Sequence, residues 1–89
     1  MRAIVSVMAK DAVGIIAYVC ALLAGHNVNV MDISQTIMQE YFTMIMLVDI
    51  SSCDCDFDSL RRDLAEKGEE RALQIRIQRD DIFDAMYRV

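Results

Sequence analysis

Proline is absent from this 89-residue chain, and glycine occurs only three times. With so few chain-breakers and 55% apolar residues, the composition is the opposite of a disordered segment's. No run approaches the roughly 18 apolar residues of a membrane-spanning helix. Bases are scarce too: nine Lys and Arg stand against fourteen Asp and Glu, a formal charge of −5. Phosphate backbones require clustered Lys and Arg, so no nucleic-acid partner is expected. Arg61 and Arg62, beside Asp63 and Glu66, read as an ordinary solvated helix face. Arg2 runs straight into an alternating apolar pattern, which is not a signal-peptide pattern. Three cysteines cannot all pair within one chain, so a reducing, cytoplasmic setting is expected.

Catalytic signatures are equally thin. His26 is the single histidine, and it falls at a helix end, where such residues commonly meet the last carbonyls. No Ser or Cys lies in a nucleophile motif, and no Gly-rich phosphate loop is present. The sequence therefore predicts no enzyme, no catalytic residue and no cofactor.

What is present is alternation. Ala3, Val5 and Val7 define a first strand, and Asp11 is placed to cap the helix that follows. Ile15, Val19, Leu22 and Leu23 recur at helical spacing until Gly25, the expected stop. "VNVMDISQTIM" and "YFTMIMLVDIS" read as strands joined by a tight hairpin at Gln39 and Glu40. A change of apolar phase predicts a bulge near Met31 or Asp32. Asp56 is a candidate cap for a second helix carrying Phe57, Leu60 and Leu64, with Gly68 as its expected end. Leu73, Ile75 and Ile77 give a fourth strand, and residues 80–89 ("DDIFDAMYRV") a short helical tail. The order β-α-β-β-α-β in one domain over residues 1–89, with right-handed crossovers, predicts a ferredoxin-like α+β sandwich. Its antiparallel sheet has strand order 4-1-3-2, with two helices on one face. Phe42, Met44, Met46 and Val48 suit the helix side. Ile45 and Leu47 make the other side apolar as well, which leaves cover by the tail, by a second copy, or by solvent alone.

Two places can carry chemistry. At the first strand-to-helix junction, Gly14 sits where a good helix former belongs, at a cost of about 0.8–1.0 kcal/mol against alanine. Either it packs closely against the fold, or it lets a ligand reach unpaired helix-start amides. Such amides attract a carboxylate and Asp11 suits an ammonium group, so an amino acid matches both charges. Asn29 adds a polar group early on the second strand. The second place is Cys53-Asp54-Cys55. It offers two thiolates where tetrahedral zinc takes four ligands, with Cys20 in a helix and His26 remote along the chain. No metal site is expected there.

The run from Lys10 to Ile37, "KDAVGIIAYVCALLAGHNVNVMDISQTI", resembles the opening of an ACT domain, a small regulatory module of amino-acid metabolism. Nearly the whole chain is similar to the stand-alone single-ACT proteins, which are in turn similar to half of the glycine cleavage repressor. The resemblance implies the same βαββαβ order, a homodimer, and an amino acid held near the first strand-to-helix loop. It assigns ligand-contacting positions to Asp11, Gly14, Ile15 and Asn29. Val13 stands where many ligand-binding members have proline. The expected function is a non-enzymatic amino-acid sensor that signals to a partner protein, at no membrane. The alternative is a ligand-free adaptor using the same fold.

Overall fold

The computed structural model describes residues 1–10 and 14–79. The expected cap Asp11 and the expected tail, residues 80–89, lie outside the described residues. Within them the chain forms β1 (Arg2–Ala9), α1 (Ile15–Gly25), β2 (Asn29–Met38), β3 (Tyr41–Asp49), α2 (Phe57–Glu70) and β4 (Gln74–Arg79). The strands make one antiparallel sheet of order β2-β3-β1-β4, which is the predicted 4-1-3-2 read from the opposite edge. The ferredoxin-like fold is thus the observed one.

Alternation explains the layers. Ala3, Val5 and Val7 of β1, Phe42, Met44, Met46 and Val48 of β3, and Ile75 and Ile77 of β4 are all buried. They meet Ile15, Val19 and Leu23 of α1 and Leu60 and Leu64 of α2 in a single core. The bulge lies where the change of phase put it, with the register slipping between Val30 and Asp32. That extra residue turns Ile33 and Ile37 to the side of their partners Met46 and Phe42.

Asp56 caps α2 as expected, its carboxylate accepting from the Ser59 amide at 3.0 Å. Three other expected boundaries shift. The N-cap position of α1 falls at Gly14, with φ +72 and ψ 0, a left-handed conformation that favours glycine, whereas the expected cap, Asp11, lies outside the described residues. Gly25 does not stop α1 by its own conformation; it is the last helical residue, and Asn27 takes the positive φ of 61° that turns the chain. Gly68 does not end α2 either. It lies buried inside the helix, where a Cβ would sit 3.0 Å from both the Leu73 carbonyl oxygen and Ile75 Cγ1. It is there so that α2 can lie close against β4.

Candidate functional site

Register fixes which residues can meet. Ala9 pairs with Phe42 at one end of the sheet, whereas Arg2 pairs with Asp49 at the other, and Asp49 also pairs with Asn29. Eight residues of strand span roughly 23 Å at about 3.3 Å per residue. Asn29 therefore lies at the far end of the sheet from Gly14 and Ile15. One copy of the chain does not bring the predicted four together; it joins Gly14 and Ile15, with Asp11 outside the described residues.

Among the described residues nothing comes within 4 Å of a Cβ built on Gly14, which is exposed. Gly14 packs against nothing among the described residues, and its positive φ gives it a conformational role. No side chain caps α1 at Gly14, and its first turn carries no acid, so the positive end of the helix dipole is uncompensated by described side chains. Beside it is a cavity of about 210 Å³ lined by Ala9, Lys10, Ile15, Tyr18, Arg71 and Leu73, among others.

Tyr18 anchors the cavity wall. Its hydroxyl donates to the Lys67 carbonyl at 2.9 Å, tying α1 to the end of α2. The Arg71 guanidinium lies 4.3 Å above its ring centroid, a cation–π contact that leaves the charge at the cavity rim. Lys10, Arg71 and the helix start all present positive potential, and Ile15 supplies an apolar wall. Lys10, Tyr18 and Arg71 escape the sequence reading. Tyr18 is four residues beyond Gly14, but Arg71 follows the second helix and reaches this end only through the fold.

A larger groove of about 420 Å³ runs between α2 and β4, with Arg61, Glu69 and Arg76 on its walls. Its opposed charges select no single ligand, and β4 leads from it directly into residues that are not described.

At the other end of α1 the structure assembles a second group. His26 Nδ1 lies 2.8 Å from Asp54 Oδ1, and Nε2 lies 2.6 Å from Asp63 Oδ2. Cys55 Sγ is 3.7 Å from the same Nδ1 and 3.9 Å from Cys53 Sγ. Asp63 and Asp54, by accepting from the ring, hold the His26 pKa above its ordinary value, and His26 in turn lowers that of Asp54. Partial burial, reinforced by Cys53 and Asp54, pushes the Cys55 thiol up to about 11. A thiol so raised stays protonated near neutrality and is a poor nucleophile.

Because the folded value of His26 is the raised one, its contribution to stability is complete below about pH 6.5. It is lost as pH rises through the folded value. In the metal-free protein the ring resonances of this only histidine should titrate above that point. Asp63→Asn should return the midpoint toward it; an unchanged midpoint would refute the pairing.

With this geometry established, the similarities become informative. The ACT-domain family profile matches residues 2–78. A UPF0237 protein of Clostridium acetobutylicum is 53% identical over 89 residues, 100% of both chains. The ACT domain protein of Streptococcus pneumoniae, a solved structure, superposes with TM-score 0.84 at 42% identity, covering 98% of each chain. A candidate glycine cleavage system transcriptional repressor gives TM-score 0.72 at 19% identity, the match covering 86% of this chain and 44% of that one; at that identity the likeness is one of fold. A family match across both the sheet and the helices, with close relatives along the full length, leads to one conclusion: the chain belongs to the ACT-domain family.

Proposed function

We propose that this chain is a non-enzymatic regulatory module that binds an amino acid at the β1–α1 junction and signals through a protein partner. The observation that carries the reading is Gly14: a left-handed N-cap with nothing among the described residues within 4 Å of a Cβ built on it, directly before Ile15, which lines a cavity together with Lys10 and Arg71. A carboxylate placed there accepts from helix-start amides and faces two cations. Ile15 borders the side chain of the ligand. In this reading Asp11 takes the ammonium group.

Asn29 joins the site only from a second copy, since its own end of the sheet is remote. The edge strand supports a homodimer. Among the described residues β2 pairs on one side only, and Met31, Ile33, Ile37 and Met38 are exposed along it, with Tyr41 and Ile45 beside them on β3. A long apolar edge left unpaired is an invitation to association. If the ligand spans two copies, occupancy favours one arrangement of the pair, which is what a signal requires.

Calorimetric titration of the purified chain with the twenty amino acids, alongside sedimentation, tests this. Saturable heat with at least one of them, and a dimer, are expected. No heat and no thermal stabilisation at millimolar concentration would refute the sensor. The exposed apolar edge would then favour the second reading, a dimeric interaction adaptor without a ligand.

A further inference from the structure

We propose that His26, Cys53, Asp54 and Cys55 form a tetrahedral site for a zinc-class divalent cation, with Asp63 as the carboxylate that orients the histidine. Nothing in the amino-acid reading depends on it, for it lies at the opposite end of α1 from Gly14.

Spacing is the first argument. Ligand atoms of His26, Asp54 and Cys55 lie within 4.8 Å of one another. Zinc–sulfur bonds of about 2.3 Å and zinc–nitrogen bonds of about 2.0–2.1 Å, arranged tetrahedrally, separate two sulfurs by about 3.8 Å and sulfur from nitrogen by about 3.6 Å. The chain holds Cys53 Sγ and Cys55 Sγ at 3.9 Å, and Cys55 Sγ and His26 Nδ1 at 3.7 Å. Asp54 Oδ1, now sharing a proton with Nδ1 at 2.8 Å, moves outward by about half an ångström when a cation replaces that proton. Cys53 stands outside the tight trio; its sulfur is already at the right distance from Cys55, and it enters by turning its side chain toward His26 and Asp54.

The second argument is the other ring nitrogen. Nε2 meets Asp63 Oδ2 at 2.6 Å, so Nε2–H donates to a carboxylate and the Nδ1 lone pair is left for the cation. This is the carboxylate–histidine pairing that accompanies zinc-bound imidazoles. The loop is also fixed from behind. The Asp54 amide donates to the His26 carbonyl at 3.1 Å, the Asn27 side-chain amide to the Ser52 carbonyl at 3.0 Å, and the Cys53 amide to the Ile50 carbonyl at 3.1 Å. Side chains on a loop so tied are pre-positioned. Two thiolates and an imidazole select zinc or its neighbours over calcium or magnesium, and a bound cation itself deprotonates the thiols. The ion would clip the end of α1 to the β3–α2 loop and α2.

The test is titration of the chelator-treated, fully reduced chain with Co²⁺, followed by Zn²⁺. One Co²⁺ per chain is expected, with a thiolate-to-cobalt charge-transfer band and the strong visible bands of four-coordination, all bleached by Zn²⁺. Cys55→Ser and His26→Gln should remove tight binding. Asp63→Asn should weaken it about 10–100-fold while keeping the band, and Cys20→Ser should change nothing. Circular dichroism checks each fold. Should Cys55→Ser not fold, Cys53→Ser decides, its charge-transfer intensity falling by about half as one of two thiolates is lost. Absence of the band in the wild type, its survival in Cys55→Ser, or full intensity in Cys53→Ser overturns the proposal.

Discussion

Replacing Gly68 by valine is expected to destabilise the domain by about 2–3 kcal/mol, a large part of the roughly 5–15 kcal/mol that holds a small domain folded. The cause is local and steric. A Cβ at position 68 meets the Leu73 carbonyl oxygen and Ile75 Cγ1 at 3.0 Å and Ile75 Cδ1 at 3.1 Å. The isoleucine can turn aside, but the carbonyl belongs to the backbone where the chain enters β4. Added γ-methyls must push that strand away from α2, and the strand carries Ile75 and Ile77 into the core. Alanine is a separate case. It gains about 1 kcal/mol of helix propensity over glycine, which offsets much of the single tight contact, so Gly68→Ala should lie far closer to wild type. Urea denaturation of the two variants checks the pair. Equal midpoints for valine and alanine would show that α2 does not approach β4 as closely as described.

The second large effect concerns binding. Gly14→Ala should cost about 1–2 kcal/mol of stability, because alanine resists φ +72 even with room for its methyl. It should also lower amino-acid affinity at least about tenfold by narrowing the approach to the helix-start amides. Arg71→Ala separates binding from folding. Arg71 is exposed and stacks on Tyr18, so its loss should move stability little. Removing a hydrogen bond to a charged ligand, at about 1.5–3 kcal/mol, should weaken binding by roughly 10–150-fold. Full affinity in Arg71→Ala would move the carboxylate away from this rim.

Much of the fold was legible in the residues because burial imposes a period. Ala3, Val5 and Val7 could only form a half-buried strand, and the slip of phase after Val30 became a bulge. Turn chemistry was less legible. Where glycines were expected to end helices, Asn27 and Ala72 carry the positive φ instead, at 61° and 58°. Gly25 is helical, and Gly68 answers a packing demand from a strand not yet reached in the chain. Of the candidate ligand site, Gly14 could be read from local spacing and Ile15 only through the family resemblance, while Asn29 could not be placed. Its position along β2 is set by pairing with β3, and that register puts it at the opposite end of the sheet. The His26 cluster illustrates the same limit. His26 and Cys55 are separated by two strands and a hairpin, and only the topology returns the β3–α2 loop to the end of α1.

The central claim is that an amino acid sits against the start of α1. Amide-resolved NMR of the chain, titrated with each amino acid that produces heat, tests it most directly. The account predicts saturable shifts of the Gly14, Ile15 and Ile16 amides and of the Arg71 side chain. Saturation with those signals unmoved, and shifts confined to other parts of the sheet, would contradict it.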